Sequence, residues 1–302
     1  MTIHPRRLVP LASAALLAAG LAGCGGSDGS SLPQLTQAQA APLQGNCPDL
    51  ATKIAFANTS ITAATSVPSG SLTVAGTPVP AHCQVTGKMY QRVSAVDGKN
   101  YAIGFEMRLP NDWNGRFFYQ ANGGIDGSVV PATGGIGGGG PLSNALKMGF
   151  AVISSDAGHV GSQGPFFGID PQARLDYGYQ AVGKLTPMAK SVIQTAYGKG
   201  PDRSYIGGCS NGGRHTMVAA ARYAADYDGF LVGDPGFRLP LAAIANMAGA
   251  QKYAALASTP ADISTGFSQA ERALVSNTGT PRSPRPMAAT PAISRASTAF
   301  PA

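Results

Sequence analysis

Apolar positions along the body of this chain come in two spacings. Short β-rich runs fall at residues 72–75, 82–90, 101–109, 116–121, 150–154, 204–207 and 230–232. Between them, apolar residues recur at helical spacing over 142–147, 175–197, 212–223 and 239–256. Pro187 is expected to interrupt the second of these helices, because its ring removes a backbone donor and crowds the preceding turn. From Arg116 onward the order is strand, loop, helix, strand, helix, strand, helix, strand. Helical connections between short buried strands predict right-handed crossovers and a mostly parallel sheet with helices on both faces, an α/β fold. The earlier strands, joined through Pro78 and Pro80, look antiparallel and are expected at one edge.

The two ends of the chain break this pattern. Arg6 and Arg7 precede an apolar stretch at 8–21, too short and too small in side chain for a good membrane span. It ends in Leu21-Ala22-Gly23-Cys24, which resembles the bacterial lipobox. That resemblance implies cleavage before Cys24, acylation of its thiol, and an exported lipoprotein held at a membrane by its N-terminal anchor. An ordinary signal peptide cut nearby is the plainer alternative. Residues 25–45 are rich in Gly, Ser, Ala, Gln and Pro and read as a flexible tether. The organisation expected is therefore a leader at 1–24, a linker at 25–45, a domain at 46–276 and a tail at 277–302. The tail has Pro, Arg, Ser and Thr but no acid and no periodicity, and is expected to be disordered. It is either a natural polar tail or the product of a reading-frame change.

Charge adds little. The formal charge of +7 includes Arg6, Arg7, Arg282, Arg285 and Arg295; without them 17 basic residues face 15 acidic ones. No basic stripe with interleaved aromatics runs through the body, so no nucleic-acid partner is expected. Export would place Cys47, Cys83 and Cys209 in an oxidising compartment, where an odd count requires explanation.

The candidate chemistry lies at Gly208-Cys209-Ser210-Asn211-Gly212. A bare Gly-x-Ser-x-Gly is weak evidence, since chance alone would supply roughly 0.4 matches in so glycine-rich a chain. Its setting is more specific: a strand precedes it and a helix follows, as a strained turn exposing a serine hydroxyl requires. Ser210 is the candidate nucleophile. The helix start directs free N–H groups toward it, where negative charge would develop. One oxyanion donor is expected to be the Asn211 N–H. The other is expected from Gly123 or Gly124, in the loop after the strand at 116–121. A tight turn of no chemical use is the alternative for both glycine-rich stretches.

With these stretches in view, the chain resembles the tannase/feruloyl esterase family of α/β-hydrolases. Carrying residues are Trp113-Asn114-Gly115-Arg116-Phe117, Asn122-Gly123-Gly124, Ser155-Asp156-Ala157-Gly158-His159, Gly208 through Arg214, and Arg222 through Gly229. Cys47 and His82-Cys83-Gln84-Val85-Thr86-Gly87 fit as well, so the likeness covers roughly residues 46–276. The resemblance implies an α/β-hydrolase fold and a serine esterase acting through an acyl-enzyme on small esters of aromatic acids such as ferulic or gallic acid. It implies no cofactor for the chemistry. The calcium held by a lid loop in many members has no visible ligands here. The family pairs a cysteine before the catalytic Ser with one after the catalytic His. Cys209 matches the first and the second is missing, which leaves Cys47 and Cys83 as the implied disulfide.

A serine nucleophile needs a base and an orienting carboxylate, in the chain order Ser, Asp or Glu, His. After Ser210 the sequence holds only His215, five residues on in the same helix, which is expected to be a helix-face or core residue. His159 is expected to fix its loop by hydrogen bonding. Asp234 stands where some α/β-hydrolases place their acid, and a helix-cap or loop role suits it better. The chain is therefore expected to be a truncated or frame-shifted relative lacking the triad acid and base, and inactive by itself. The rival reading is a non-catalytic, lipid-anchored hydrolase-like binding protein.

Overall fold

A computed structural model describes residues 35–135, 144–259 and 262–279. The leader with Cys24, the first part of the linker and most of the tail lie outside the described residues. Seven strands form one sheet: β1 (Thr59–Val67), β2 (His82–Val93), β3 (Asn100–Pro110), β4 (Arg116–Gln120), β5 (Ala151–Ser155), β6 (Arg203–Cys209) and β7 (Gly229–Gly233). Their order is β7-β6-β4-β5-β3-β2-β1. β4 through β7 pair in parallel, whereas β5–β3, β3–β2 and β2–β1 are antiparallel. The antiparallel edge is present, but Thr73–Val74, expected in it, pairs instead with Thr77–Pro78 in a separate two-stranded sheet, and its place is taken by β1, a strand that the sequence pattern did not reveal. Its Thr/Ser-rich residues alternate only between half-buried and exposed, so its apolar signal is faint.

The central parallel strands β4 and β5 read as continuous apolar runs because both of their faces are covered. Phe117, Tyr119, Ala151, Ile153 and Ile206 join the main core. Their neighbours Phe118 and Val152 point the other way, into a smaller cluster with Val79, Ala132 and Leu146. The main core is closed by helix α1 (Ala181–Tyr197), which buries Leu185, Met188, Ala189, Val192 and Ile193. Helix α2 (Asn211–Arg222) packs on β6 and β7 and touches α1. Residues 144–150 form turns, not the helix expected at 142–147; the rest of that stretch falls outside the described residues.

Pro187 lies inside α1 without ending it. The apolar face of the helix is pressed onto the sheet, and that burial outweighs a cost of about 3 kcal/mol for proline in a helix interior. The irregularity comes earlier, as one π-turn at Asp176–Gln180 after a short helix at Pro171–Leu175. Cys47 and Cys83 form a disulfide that ties the segment before β1 to the start of β2.

The opposite end of the sheet is different. β7 is the last strand, and its Leu231 and Val232 are 46% and 42% exposed. Helix α3 (Leu239–Leu256) follows, with the bounds expected for it, and buries none of its residues. Helix α4 (Gln269–Gly279) is also solvent-facing along its described side chains. Among the described residues no helix is long and apolar enough to cross a membrane.

Candidate active site

β6 runs into the Gly-x-Ser-x-Gly stretch and α2 leaves it, so Ser210 sits at the bend between them. Its backbone is at φ 58° and ψ −120°, a region in which a residue with a Cβ is strained. Three backbone bonds hold it there. Its N–H donates to Gly233 O at 3.1 Å, and its carbonyl accepts from Arg214 and Gly236, each at 3.0 Å. Two glycines make the bend possible by close approach: a Cβ on Gly208 or Gly212 would run into the Ala121 carbonyl. Ser210 is exposed, and its side chain caps no helix N–H, so the hydroxyl is free for chemistry.

Asn211 is the first residue of α2, so its N–H has no acceptor within the helix. The loop after β4 brings Gly123 to the same place, with the position of an added Cβ 3.7 Å from the Cys209 carbonyl. Gly124 follows at φ 66° with open space beside it, a conformation that glycine adopts without cost. The loop is anchored from behind. Asn122 Nδ2 donates to Ser154 Oγ at 2.9 Å and to Ser155 O at 2.8 Å, while Gln120 Nε2 donates to Asn122 Oδ1 at 3.1 Å. The Ser210 hydroxyl, the Asn211 N–H and the Gly123-Gly124 loop thus share one exposed corner of the molecule.

Beneath that corner lies a network whose centre, Asp126, carried no signal in the sequence. Asp126 Oδ2 accepts from Asn211 Nδ2 at 2.7 Å and faces His215 Nε2 at 2.8 Å. Both side chains of the Asp126–His215 pair are nearly fully buried, at 2% and 5%. Asn211 Oδ1 accepts from Arg214 Nε at 2.7 Å and from the Tyr177 hydroxyl at 3.1 Å. Arg214 also donates to the Gly178 and Tyr177 carbonyls of the π-turn and lies 4.6 Å above the Tyr177 ring. Only the fold juxtaposes these groups: Asp126 is 85 residues from Asn211. The network ties the loop after β4 to the start of α2, and it engages His215 with Asp126 one turn below Ser210.

The remaining candidates supply no base to the nucleophile. Asp234, at φ 33°, is exposed and directs no described interaction toward a histidine. Cys209 is half-buried and is a free thiol. His159 is buried and stacks on Phe167 with ring centroids 3.8 Å apart. Neither of its nitrogens makes a hydrogen bond of good geometry among the described residues, the Ile125 backbone acting on the ring only as a poorly aligned partner, so ring stacking contributes more than hydrogen bonding to holding it. Burial holds its pKa below the usual histidine value, against the pull of Asp126 and the Ile125 backbone. Asp156, in the same loop, is pushed up to about 7 by burial, although Oδ1 accepts from the Gly104 and Gly158 N–H groups, each at 2.9 Å.

Comparison with known proteins gives this arrangement a context. The family described as "Tannase and feruloyl esterase" matches residues 83–262. A mono(2-hydroxyethyl) terephthalate hydrolase of Piscinibacter sakaiensis is 41% identical over 180 residues, covering 57% of this chain and 30% of the relative. A probable feruloyl esterase B-2 of Aspergillus fumigatus is 31% identical over 218 residues, covering 69% of this chain and 40% of the relative. Among solved structures, feruloyl esterase B from Aspergillus oryzae superposes with a TM-score of 0.56 at 25% identity, over 72% of this chain and 41% of that one. The matched region thus spans well under half the length of each of these proteins.

Proposed function

The chain belongs to the tannase and feruloyl esterase family, with an α/β-hydrolase fold, and from that premise we propose that it carries the nucleophile side of a serine carboxylic-ester hydrolase. The observation that carries the proposal is the strained Ser210 bend, with the Asn211 N–H and the Gly123-Gly124 loop beside it. In this reading Ser210 Oγ attacks the ester carbonyl. The oxyanion settles on the N–H of Asn211 and that of Gly123 or Gly124, the alcohol leaves, and water hydrolyses the acyl-enzyme. The substrate class is esters of aromatic acids, of feruloyl or galloyl type; the likeness to feruloyl esterases supports the feruloyl choice. Cys24 would anchor the protein to a membrane through acyl chains.

The same geometry argues that these 302 residues do not turn over by themselves. His215 is the only histidine after Ser210 in the sequence, and Asp126 holds it in a buried pair. Without a base the serine hydroxyl is a poor nucleophile. The test uses a fluorophosphonate probe together with methyl ferulate and methyl gallate. The chain alone is expected neither to label nor to hydrolyse either ester. A chimera carrying the C-terminal remainder of the A. fumigatus relative is expected to gain both, and to lose both on Ser210→Ala. Labelling that survives Ser210→Ala would sink the nucleophile assignment. Saturable methyl ferulate binding by a chimera that never labels would instead favour a non-catalytic, lipid-anchored binding protein.

A further inference from the structure

The loop after β4 is exposed at Gly123, Gly124 and Ile125, yet the next side chain, that of Asp126, is buried. Asp126 stands at φ 57°, in the left-handed region that Asp and Asn enter more readily than other residues with a Cβ. Its N–H donates to Gly123 O at 3.4 Å, and the Gly127 N–H donates to Asp156 O at 3.1 Å. The loop is thus a closed turn, fixed at its far end, that carries one carboxylate into the interior.

That carboxylate meets the residue on the other side of the corner. Asp126 Oδ2 accepts from Asn211 Nδ2 at 2.7 Å, and His215 Nε2 at 2.8 Å holds the same oxygen from below. The rest of the Asn211 amide is spent as well, because its Oδ1 accepts from Arg214 Nε and from the Tyr177 hydroxyl. Asn211 is 5% exposed, and bonds to a carboxylate in such surroundings are of the stronger kind. Among the described residues no other hydrogen bond joins the loop at 123–127 to the start of α2. One oxygen atom therefore links two arms that are 85 residues apart in the chain.

We infer that Asp126 is a positioning residue for the Ser210 corner: it sets the separation between the Asn211 N–H and the N–H groups of Gly123 and Gly124. The inference rests on the esterase reading for what those N–H groups do, and on the geometry alone for how they are held. An oxyanion must reach both donors at once, and donors fixed beforehand need no rearrangement during the reaction. Asp126 makes no hydrogen bond to Ser210 among the described residues, so it acts through the donors and not on the reacting atoms.

The test follows the backbone amides of Gly123, Gly124 and Asn211 by NMR relaxation in the full chain. Native protein, Asp126→Ala and Asp126→Asn are compared below their unfolding transitions. The native amides are expected to be rigid, with order parameters of about 0.85. Asp126→Ala is expected to bring these three below about 0.6 while the amides of β4 and β6 stay rigid. Asp126→Asn, which suits the same backbone conformation and keeps an acceptor oxygen, is expected to restore them. In the chimera carrying the C-terminal remainder of the A. fumigatus relative, Asp126→Ala is expected to lower kcat on methyl ferulate at least tenfold with KM changed less than about twofold. Asp126→Asn is expected to recover most of kcat. Unchanged order parameters in Asp126→Ala, loosening spread evenly over β4 and β6, or a raised KM at native kcat would each overturn the inference. A native chimera without turnover would count against the esterase reading instead, and the relaxation data would still decide the role of Asp126.

Discussion

At Gly212 the fold tolerates no side chain. A Cβ there would meet the Ala121 carbonyl, which is backbone and cannot step aside without moving the oxyanion loop. Gly212→Ala is expected to lower stability by about 1–3 kcal/mol, the range for overpacking a tight interior, in urea denaturation. Asp126 is the second sensitive position, because one carboxylate oxygen serves both Asn211 and His215. Asp126→Ala strands two buried polar groups, and a loss of about 2 kcal/mol is expected, measured the same way. Asp156 acts in the opposite direction. Its folded pKa of about 7 lies above the ordinary value of 3.8, so the folded chain binds the proton more tightly than the unfolded one. Stability is therefore highest below the ordinary value and declines as pH rises through the interval up to about 7, beyond which the penalty is constant. Asp156→Asn keeps the acceptor oxygen for Gly104 and Gly158 but cannot ionise. Its stability relative to the native chain is expected to grow between pH 4 and pH 8 by several kcal/mol, on the order of 4 for a shift of this size. Parallel pH-dependence of the two proteins in chemical denaturation would contradict this assignment.

Among the elements, those whose own residues form continuous apolar or helical runs were the legible ones, whether buried or not. β4, β5, β6 and β7 appear close to the residues where continuous apolar runs put them, and α3 has the expected bounds. β1 was not legible, because a half-exposed Thr/Ser strand owes its conformation to pairing with β2 and not to its own pattern. The register of that edge is reinforced by the Cys47–Cys83 disulfide, which closes 36 residues of chain. By loop-closure entropy alone, replacing both cysteines with serine is expected to cost about 4 kcal/mol, read as a lowered denaturation midpoint. The π-turn at Asp176–Gln180 is the element whose role is least visible in sequence. It brings the Tyr177 hydroxyl and two backbone carbonyls to Asn211 and Arg214 across more than thirty residues.

For the molecule as a whole, the most unusual property is the apolar surface at the β7 end. Leu241, Ile244 and Met247 of α3 are each 60% or more exposed, and Leu231 and Val232 of β7 are 46% and 42% exposed. Large apolar side chains exposed in this number favour association. The protein is expected to bind the dye ANS and to self-associate with rising concentration in light scattering. Replacing Leu241, Ile244 and Met247 with Gln is expected to reduce both while changing stability by less than about 0.5 kcal/mol per site, as for other exposed positions. The sequence by itself determined the α/β class, the antiparallel edge, the place of the strand-to-helix bend with Ser210, and membership of a family recognisable by short motifs. These are local properties, written in periodicity and in residues a few positions apart. Tertiary structure alone decided that Asp126 meets His215 and Asn211, that the π-turn reaches Asn211 and Arg214, and that α3 buries none of its residues against the other described ones. Each of those outcomes depends on groups separated by tens of residues in the chain, and their distances are set by how the sheet is ordered and packed.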